Sequence, residues 1–227
     1  MKLSLIIPVK NENEKVLNKI LKECQRILKK YGDYEIIIIS KYDMETPNFM
    51  SHQRIRKIGQ KNDGKGNAIK IGAENSKGDI LIFMDGDGSH IPMDIPKLIE
   101  PIRKGNADFV LASRMLGGSE ELHGDLSQFF RLVTTSLISL IVYYRFGTNI
   151  SDTQNGFRAI RKVMFESLDL KANNFDIETE MVMKCLKRKY RILEIPSREL
   201  KRVQGKSRIN LFKQWRHYVW RILVNLF

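Results

Sequence analysis

The chain has 227 residues, 42% of them apolar, and a formal net charge of +13, which gives room for one sizeable core, alone or with an appendage. Its two cysteines, Cys24 and Cys185, form no CxxC pair and have no zinc-like spacing, which excludes a disulfide framework and a structural zinc site and points to a reducing compartment. Residues 184–227 hold thirteen Lys and Arg against Glu194 and Glu199, a net +11 that leaves +2 for the rest, so the basic surface belongs to the C-terminal part and seeks phosphates of nucleic acid, lipid or substrate.

In chain order, Leu3–Val9 reads as a β-branched strand with neither the length nor the cleavage site of a signal peptide. Asn11-Glu12-Asn13-Glu14 caps a helix whose Val16, Leu17, Ile20, Leu21, Ile27 and Leu28 share one face, and Gly32-Asp33 ends it. Tyr34–Ile39, with four consecutive isoleucines, is a strand buried on both faces; Lys41 to Met50 is irregular, and Arg54–Ile58 is a short strand. Lys61–Ala68 opens a helix to about Ser76, and a strand then ends at Asp85. This alternation predicts an α/β fold with a mostly parallel sheet, helices on both faces, and a site at the carboxyl ends of the strands.

Pro92–Lys104 reads as a helix stopped by Gly105, Ala107–Ala112 as a strand, and Ser113–Gly124 as a long loop. An apolar helix from about Leu126 to Phe146 and a polar turn, Ser151–Arg158, follow. Helices at about Val163–Leu168 and Ile177–Lys189 then lead to a strand at Tyr190–Ile195, a basic loop Arg198–Arg208, and a closing helix Leu211–Phe227. The apolar run Leu132–Tyr144 falls short of the roughly 20 residues that span a bilayer, so no unaided span is expected.

Chemistry concentrates where five apolar residues, Ile80–Met84, run into Asp85-Gly86-Asp87-Gly88-Ser89-His90. Carboxylates at i and i+2 on a strand leaving its sheet can both reach one hard cation such as Mg2+ or Mn2+, although an Asp-Gly turn uses the same residues. Pro8-Val9-Lys10-Asn11-Glu12 stands where the first strand meets its helix and can meet a nucleotide. Lys65, between two glycines, can reach a phosphate without Walker spacing, or simply start a helix. His90 reads first as a hydrogen-bonded structural residue. Asp152 and Gln154 exceed what the Asn155-Gly156 turn requires, and Glu178 and Glu180 suit a helix N-terminus, where capping accounts for at least one of them.

Several stretches together resemble the family 2 inverting glycosyltransferases of GT-A fold, and within them the polyisoprenyl-phosphate (dolichyl-phosphate) mannose and glucose synthases. They are LSLIIPVKNENE, DGKGNAIKIGAENSKGDILIFMDGDGSHIP, ASRM, DTQNGFRAIRK, FDIETEM and GKSRIN. The resemblance implies a GT-A catalytic domain over 1–210, with a nucleotide-sugar half to about 112 and an acceptor half beyond, and a basic aromatic helix over 211–227. It implies transfer of a hexose, from GDP-mannose before UDP-glucose or UDP-N-acetylglucosamine, to a polyisoprenyl phosphate. It places a nucleotide-diphosphate sugar on Pro8, Lys10, Glu12, Asp63, Lys65, Asp85, Gly86 and Asp87, with Mg2+ or Mn2+ on Asp85 and Asp87. The acceptor phosphate falls to Arg114, Arg131, Gln154, Arg202 and Lys206, and the catalytic set to Asp87, Arg114, Arg131 and Asp152. The sequence departs from the family after the second strand, where Ser40-Lys41-Tyr42-Asp43 lacks its paired acids. Ser89 replaces a glutamine frequent in mannose synthases, and DTQNGF is nearer the glucose-type motif.

A lipid acceptor fits two further stretches. The segment Phe129–Tyr144 is unusually apolar, and the closing helix mixes Lys213, Arg216 and Arg221 with Trp215, Tyr218, Trp220 and Phe227, a composition suited to a membrane interface and also to plain core packing. The expected location is cytoplasmic, peripheral on the cytoplasmic face of the membrane, with no nucleic-acid partner. A glycosyltransferase acting on a sugar hydroxyl and a non-catalytic relative that binds lipid or a partner are the rival readings.

Overall fold

The computed structural model describes residues 1–10, 12–41, 53–121, 126–202 and 211–226, with the backbone alone at 126, 127, 131 and 211–217. Lys206, Asp43 and the Lys41–Met50 irregular stretch beyond Lys41 lie outside the described residues, as does the side chain of Arg131.

Seven strands form one sheet: β1 (Leu3–Pro8), β2 (Tyr34–Lys41), β3 (Ile55–Gln60), β4 (Ile80–Phe83), β5 (Phe109–Ser113), β6 (Arg158–Arg161) and β7 (Ile192–Pro196), in the order β3-β2-β1-β4-β6-β5-β7. Every pairing is parallel except those of β6, which runs antiparallel to both β4 and β5. Side chains alternate across the sheet, so β1 sends Leu3, Leu5 and Ile7 to one core and Ile6 to the other. The first core is closed by helix α1 (Glu14–Leu28) and α3 (Ile95–Arg103), through Leu17, Leu21, Leu28, Leu98 and Ile102. The second is closed by α2 (Lys65–Glu74), α5 (Leu126–Phe146), α6 (Lys162–Ser167), α7 (Ile177–Lys187) and α8 (Leu211–Leu226). The expected mostly parallel sheet covered on both faces is present.

Asn13 caps α1, its side chain accepting from the Lys15 N–H at 2.8 Å. Pro92–Lys104 divides into a 3-10 turn, Pro92–Asp94, and α3. A four-residue helix, α4 (Arg114–Gly117), interrupts the expected loop after β5, with Ser113 Oγ accepting from the Leu116 N–H at 3.2 Å. Beyond α4 the chain is zipped to the segment after β7: Ser119 bridges Glu199, and Glu120 pairs with Arg198 at 2.9 Å.

The largest departure is β6: the sequence reading placed Arg158 at the end of the polar turn and gave Ala159–Arg161 no element. Its four residues carry arginine at both ends, so no apolar run announces it, and Arg158 is nevertheless fully buried. The bounds of α5, Leu126–Phe146, are those read from the sequence; the second departure is that the expectation of no unaided span rested on the run Leu132–Tyr144 alone, whereas Gln128–Phe146 is by length and composition long and apolar enough to cross a bilayer. Thr135, Ile138 and Val142 of this helix are buried against the domain, while Phe129, Leu137, Leu140 and Tyr144 are exposed.

Candidate active site at the carboxyl ends of β1 and β4

The antiparallel course of β6 sets the site. Phe83, the last residue of β4, pairs with Arg158, the first of β6, so the acidic loop leaving β4 and the polar turn entering β6 meet at one edge. Their contact is close: a Cβ on Gly156 would lie 2.5 Å from Lys65 Nζ and 3.0 Å from Asp85 Oδ2, so any side chain there would displace the Lys65 ammonium.

Lys65, the first residue of α2, reaches Asp85 at 2.6 and 2.9 Å and Glu178, in the first turn of α7, at 2.9 Å. Burial opposes both charges. The neighbouring Lys65 ammonium outweighs it at Asp85 and holds that carboxyl well below the usual carboxylate range. Asp85 and Glu178 likewise raise Lys65 above an ordinary lysine despite its burial. His90 is buried and stacks on Phe157 at 5.1 Å between ring centroids, and its Nδ1 accepts from the Asp85 N–H at 3.1 Å. Burial lowers its pKa against the pull of Asp85 and Asp87. It therefore serves the loop as a neutral hydrogen-bond acceptor, the structural role read from the sequence.

Asp87 accepts from the N–H and Oγ of Ser89 at 3.0 and 2.7 Å, and its other oxygen pairs with Arg202 Nε at 3.2 Å. Gly88, at φ +83°, turns the chain between them. Arg202 is held in turn by Glu121, which accepts its backbone N–H at 3.0 Å. Arg114 grips Asp152 in a fork, Nε to Oδ2 at 2.7 Å and Nη2 to Oδ1 at 2.9 Å, and sends Nη1 to within 3.5 Å of Glu199. Burial disfavours both charges, but each partner overcomes it, so Asp152 sits low and Arg114 high. Glu194 accepts the Asp152 N–H at 3.0 Å and fixes the turn from below.

Lys65, Asp85, Arg114, Gln154 and Arg202 thus line one cleft, together with His90, Glu178 and Glu199. Lys10 and Asp63 pair at 3.3 Å, both half exposed, and Glu12 accepts the Lys10 N–H. Pro8, Lys10, Glu12 and Asp63 form this second cluster at the end of β1, and Gly86 packs within 3.2 Å of Ile7 by its would-be Cβ. The sequence reading gave no site role to Arg158, Glu199, Phe175 or Tyr218, and set Tyr218 among the interface aromatics of the closing helix, whereas the structure buries it beside the cleft. Tyr218 comes from α8 and donates to the Phe175 carbonyl at 2.9 Å, a contact with no local sequence signal. Arg158 donates to the carbonyls of Asn155, Thr153 and Glu178 and so ties the turn to the start of α7.

Several polar atoms here are buried and lack hydrogen-bond partners: Gln154 Nε2, Glu178 Oε2, Thr153 Oγ1 and Thr179 Oγ1. Each such group costs about 1–3 kcal/mol, a concentration that marks a ligand site. Asp85 and Asp87 offer the oxygen donors that a hard divalent cation prefers. Among the described residues no three His, Cys, Asp or Glu side chains come together as a metal-binding group, so Asp85 and Asp87 are the residues that would hold a cation here, with further oxygens supplied by a ligand.

The fold is that of GT-A glycosyltransferases. Glucosyl-3-phosphoglycerate synthase from Mycobacterium tuberculosis, crystallised with Mn2+, UDP and phosphoglyceric acid, superposes with a TM-score of 0.74 at 17% identity, covering 99% of this chain and 78% of that one. Among curated proteins, the low-salt glycan biosynthesis hexosyltransferase Agl6 of Haloferax volcanii is 26% identical over 98% of this chain and 53% of its own length. The dolichol-phosphate mannosyltransferase of Pyrococcus furiosus is 28% identical over 98% of this chain and 64% of its own. An undecaprenyl-phosphate mannosyltransferase of Micrococcus luteus is 30% identical over 58% of this chain and 54% of its own. The chain therefore spans between half and two thirds of the length of these relatives. Residues 4–169 match the family model "Glycosyl transferase family 2", and the chain belongs to that family of glycosyltransferases.

Proposed function

We propose that this chain transfers a hexose from a nucleoside-diphosphate sugar, GDP-mannose before UDP-glucose or UDP-N-acetylglucosamine, to a polyisoprenyl phosphate, with inversion at the anomeric carbon. The observation that carries the reading is the Asp85-Gly86-Asp87 loop in a cleft shared with Lys65, Arg114 and Arg202, on a family 2 chain. The names of the Pyrococcus and Micrococcus relatives support the lipid acceptor, and the Mn2+ of the Mycobacterium structure supports a divalent cation.

Asp85 and Asp87 would hold Mg2+ or Mn2+, which supplies Lewis acidity against the charge of the departing nucleoside diphosphate. Arg202, paired with Asp87 here, would be released to phosphate by a cation on that carboxylate. Lys10, Glu12 and Asp63, at the end of β1, bind the nucleotide beside Pro8 and Gly86, and Lys65 answers the diphosphate. Arg114, Arg202, Gln154, Arg131 and Lys206 orient the acceptor phosphate, with Asp152 keeping the Arg114 guanidinium in place. A phosphate monoester is already largely ionised at pH 7, its second pKa being about 6, so the acceptor attacks without a general base.

The exposed apolar faces of α5 (Phe129, Leu137, Leu140, Tyr144) and α8 (Trp220, Leu223, Val224) lie on helices joined by Arg145 Nε donating to the Leu226 carbonyl at 2.6 Å. They support peripheral attachment to the cytoplasmic face of a membrane, where the lipid acceptor resides. The test is transfer of labelled hexose from each donor into a lipid phase, with Mg2+ or Mn2+ and with chelator. Label in the lipid, abolished by chelation and by Asp87→Ala, is the expected result. A folded protein that transfers from no donor supports the non-catalytic reading, which rests on the absent acid pair after β2.

A further inference from the structure

We infer that Glu121 is a positioning residue for Arg202, holding that guanidinium at the cleft when a divalent cation takes Asp87. Arg202 stands between two carboxylates. Its Nε lies 3.2 Å from Asp87 Oδ2 and 3.7 Å from Glu121 Oε2, and Glu121 Oε1 accepts its backbone N–H at 3.0 Å. The three side chains are 17%, 14% and 12% exposed in the order Arg202, Asp87, Glu121, so solvent ions screen their charges little. Nε itself is buried and makes a hydrogen bond to neither carboxylate. It carries a single N–H and cannot serve two acceptors. Lys65 gives the contrast at the neighbouring aspartate, where an ammonium with three N–H groups reaches Asp85 and Glu178 together, at 2.6 and 2.9 Å. Arg202 is shared between two seats and settled in neither.

The two seats differ in what else they can do. Asp87 has Oδ1 committed to the N–H and hydroxyl of Ser89, so Oδ2, the oxygen facing Arg202, is the one left for a cation. A doubly charged ion there repels the guanidinium at close range, and an arginine without a second anchor would swing into solvent. Glu121 supplies the anchor. Its own place is fixed where two segments zip together: Ser119 Oγ accepts the Glu121 N–H at 3.0 Å, the Glu120 N–H donates to the Glu199 carbonyl at 2.9 Å, and the Glu120 carboxylate accepts the Lys201 N–H at 3.1 Å. Glu121 and the backbone of Arg202 therefore keep their relation when the Asp87 contact is lost. The guanidinium then pairs with Glu121 through Nε, and its outer nitrogens are directed to phosphate.

This inference rests on the reading that Asp85 and Asp87 hold the cation. The experiment follows free Mn2+ by electron paramagnetic resonance, with and without GDP or UDP, for the wild type, Glu121→Gln, Arg202→Met and the double variant, with a melting curve for each. Glutamine keeps an acceptor for the Arg202 N–H and removes only the charge. Glu121→Asp, one methylene short of Nε, is a second route should the glutamine variant fail to fold. Arg202→Met is expected to bind Mn2+ at least about fivefold more tightly than wild type, and Glu121→Gln at least about fivefold less tightly, because an arginine with no second seat stays on Asp87. With Arg202 already removed, Glu121→Gln should change Mn2+ affinity by less than about twofold. A Glu121 that is purely structural, or acts only through its own charge, shifts affinity equally in both backgrounds. That result, or an unchanged affinity in folded Arg202→Met, overturns the inference and leaves the parent reading standing. Mn2+ bound by none of these proteins, with or without nucleotide, overturns both.

Discussion

Replacing Arg114 with methionine strands a buried carboxylate. Asp152 is 0% exposed and loses both arms of its guanidinium fork, at 2.7 and 2.9 Å, while Glu199 loses a cation 3.5 Å away. What remains at Asp152 is the backbone N–H of residue 114 at 3.1 Å and that of Gln154 at 3.3 Å. Breaking a buried pair from one side costs about 3–5 kcal/mol. At about 2–4 °C per kcal/mol for a domain of this size, the melting temperature falls by roughly 6–20 °C. Adding Asp152→Asn removes the stranded charge and restores at least about 1 kcal/mol. The pH dependence has a definite sign. In the wild type Asp152 is held low, so its contribution is present above the unfolded value of about 3.9 and lost as pH falls through the folded one. In the variant burial is opposed only by those two backbone N–H groups and raises the carboxyl, so the deficit is greatest at neutral pH and narrows on acidification. Thermal and urea melts of the single and double variants between pH 7 and 4 measure all of this. A loss below about 1 kcal/mol, or a double variant no more stable than the single one, refutes the strut.

Gly156→Ala drives a methyl group between Lys65 and Asp85; donor turnover should drop by about a hundredfold with the fold retained, and unchanged turnover would show that the pair is not held by this contact. Glu35 is buried, yet hydrogen bonds from the Lys77 N–H, Ser4 and Arg56 overcome the burial and keep its pKa low. Its stabilisation is present above about pH 4.3 and lost below, so Glu35→Gln should flatten the acid limb of the stability curve, as urea melts at stepped pH would report. Leu137 and Leu140 are 54% and 49% exposed. Changing both to serine should weaken sedimentation with anionic vesicles by at least about tenfold at nearly constant melting temperature; equal vesicle binding would assign that face to something other than lipid.

The sequence was most legible where one local property decides the outcome. The isoleucine run of β2 and the apolar lead into Asp85 required burial on both faces, and both lie inside the sheet. β6 was illegible because its arginines, the usual marks of a surface, are satisfied by carbonyls and carboxylates distant in the chain. Lys65 taken in isolation read as a helix start before a phosphate contact for the same reason, since Asp85 and Glu178 become its neighbours only after the sheet forms. Of the two glutamates opening α7, the sequence could say that one would be structural. It could not say that Glu180 would be the satisfied one, because its partners Lys171 and Ala172 on one side and Arg221 on the other come from two separate segments.

The reversed strand inside the sheet, next to its central strand β4, acts as a ruler. Because β6 runs against β4, the distance between the acidic loop and the Asp152–Gly156 turn is set by one ladder register, Phe83 opposite Arg158, and not by the conformation of either loop. A slip of two residues would preserve which faces are buried but carry Gly156 away from Asp85 by about 7 Å. The two walls of the cleft are thus calibrated by the hydrogen-bonded ladder of the sheet, so the spacing between Asp85 and Gly156 is decided before any loop side chain is placed.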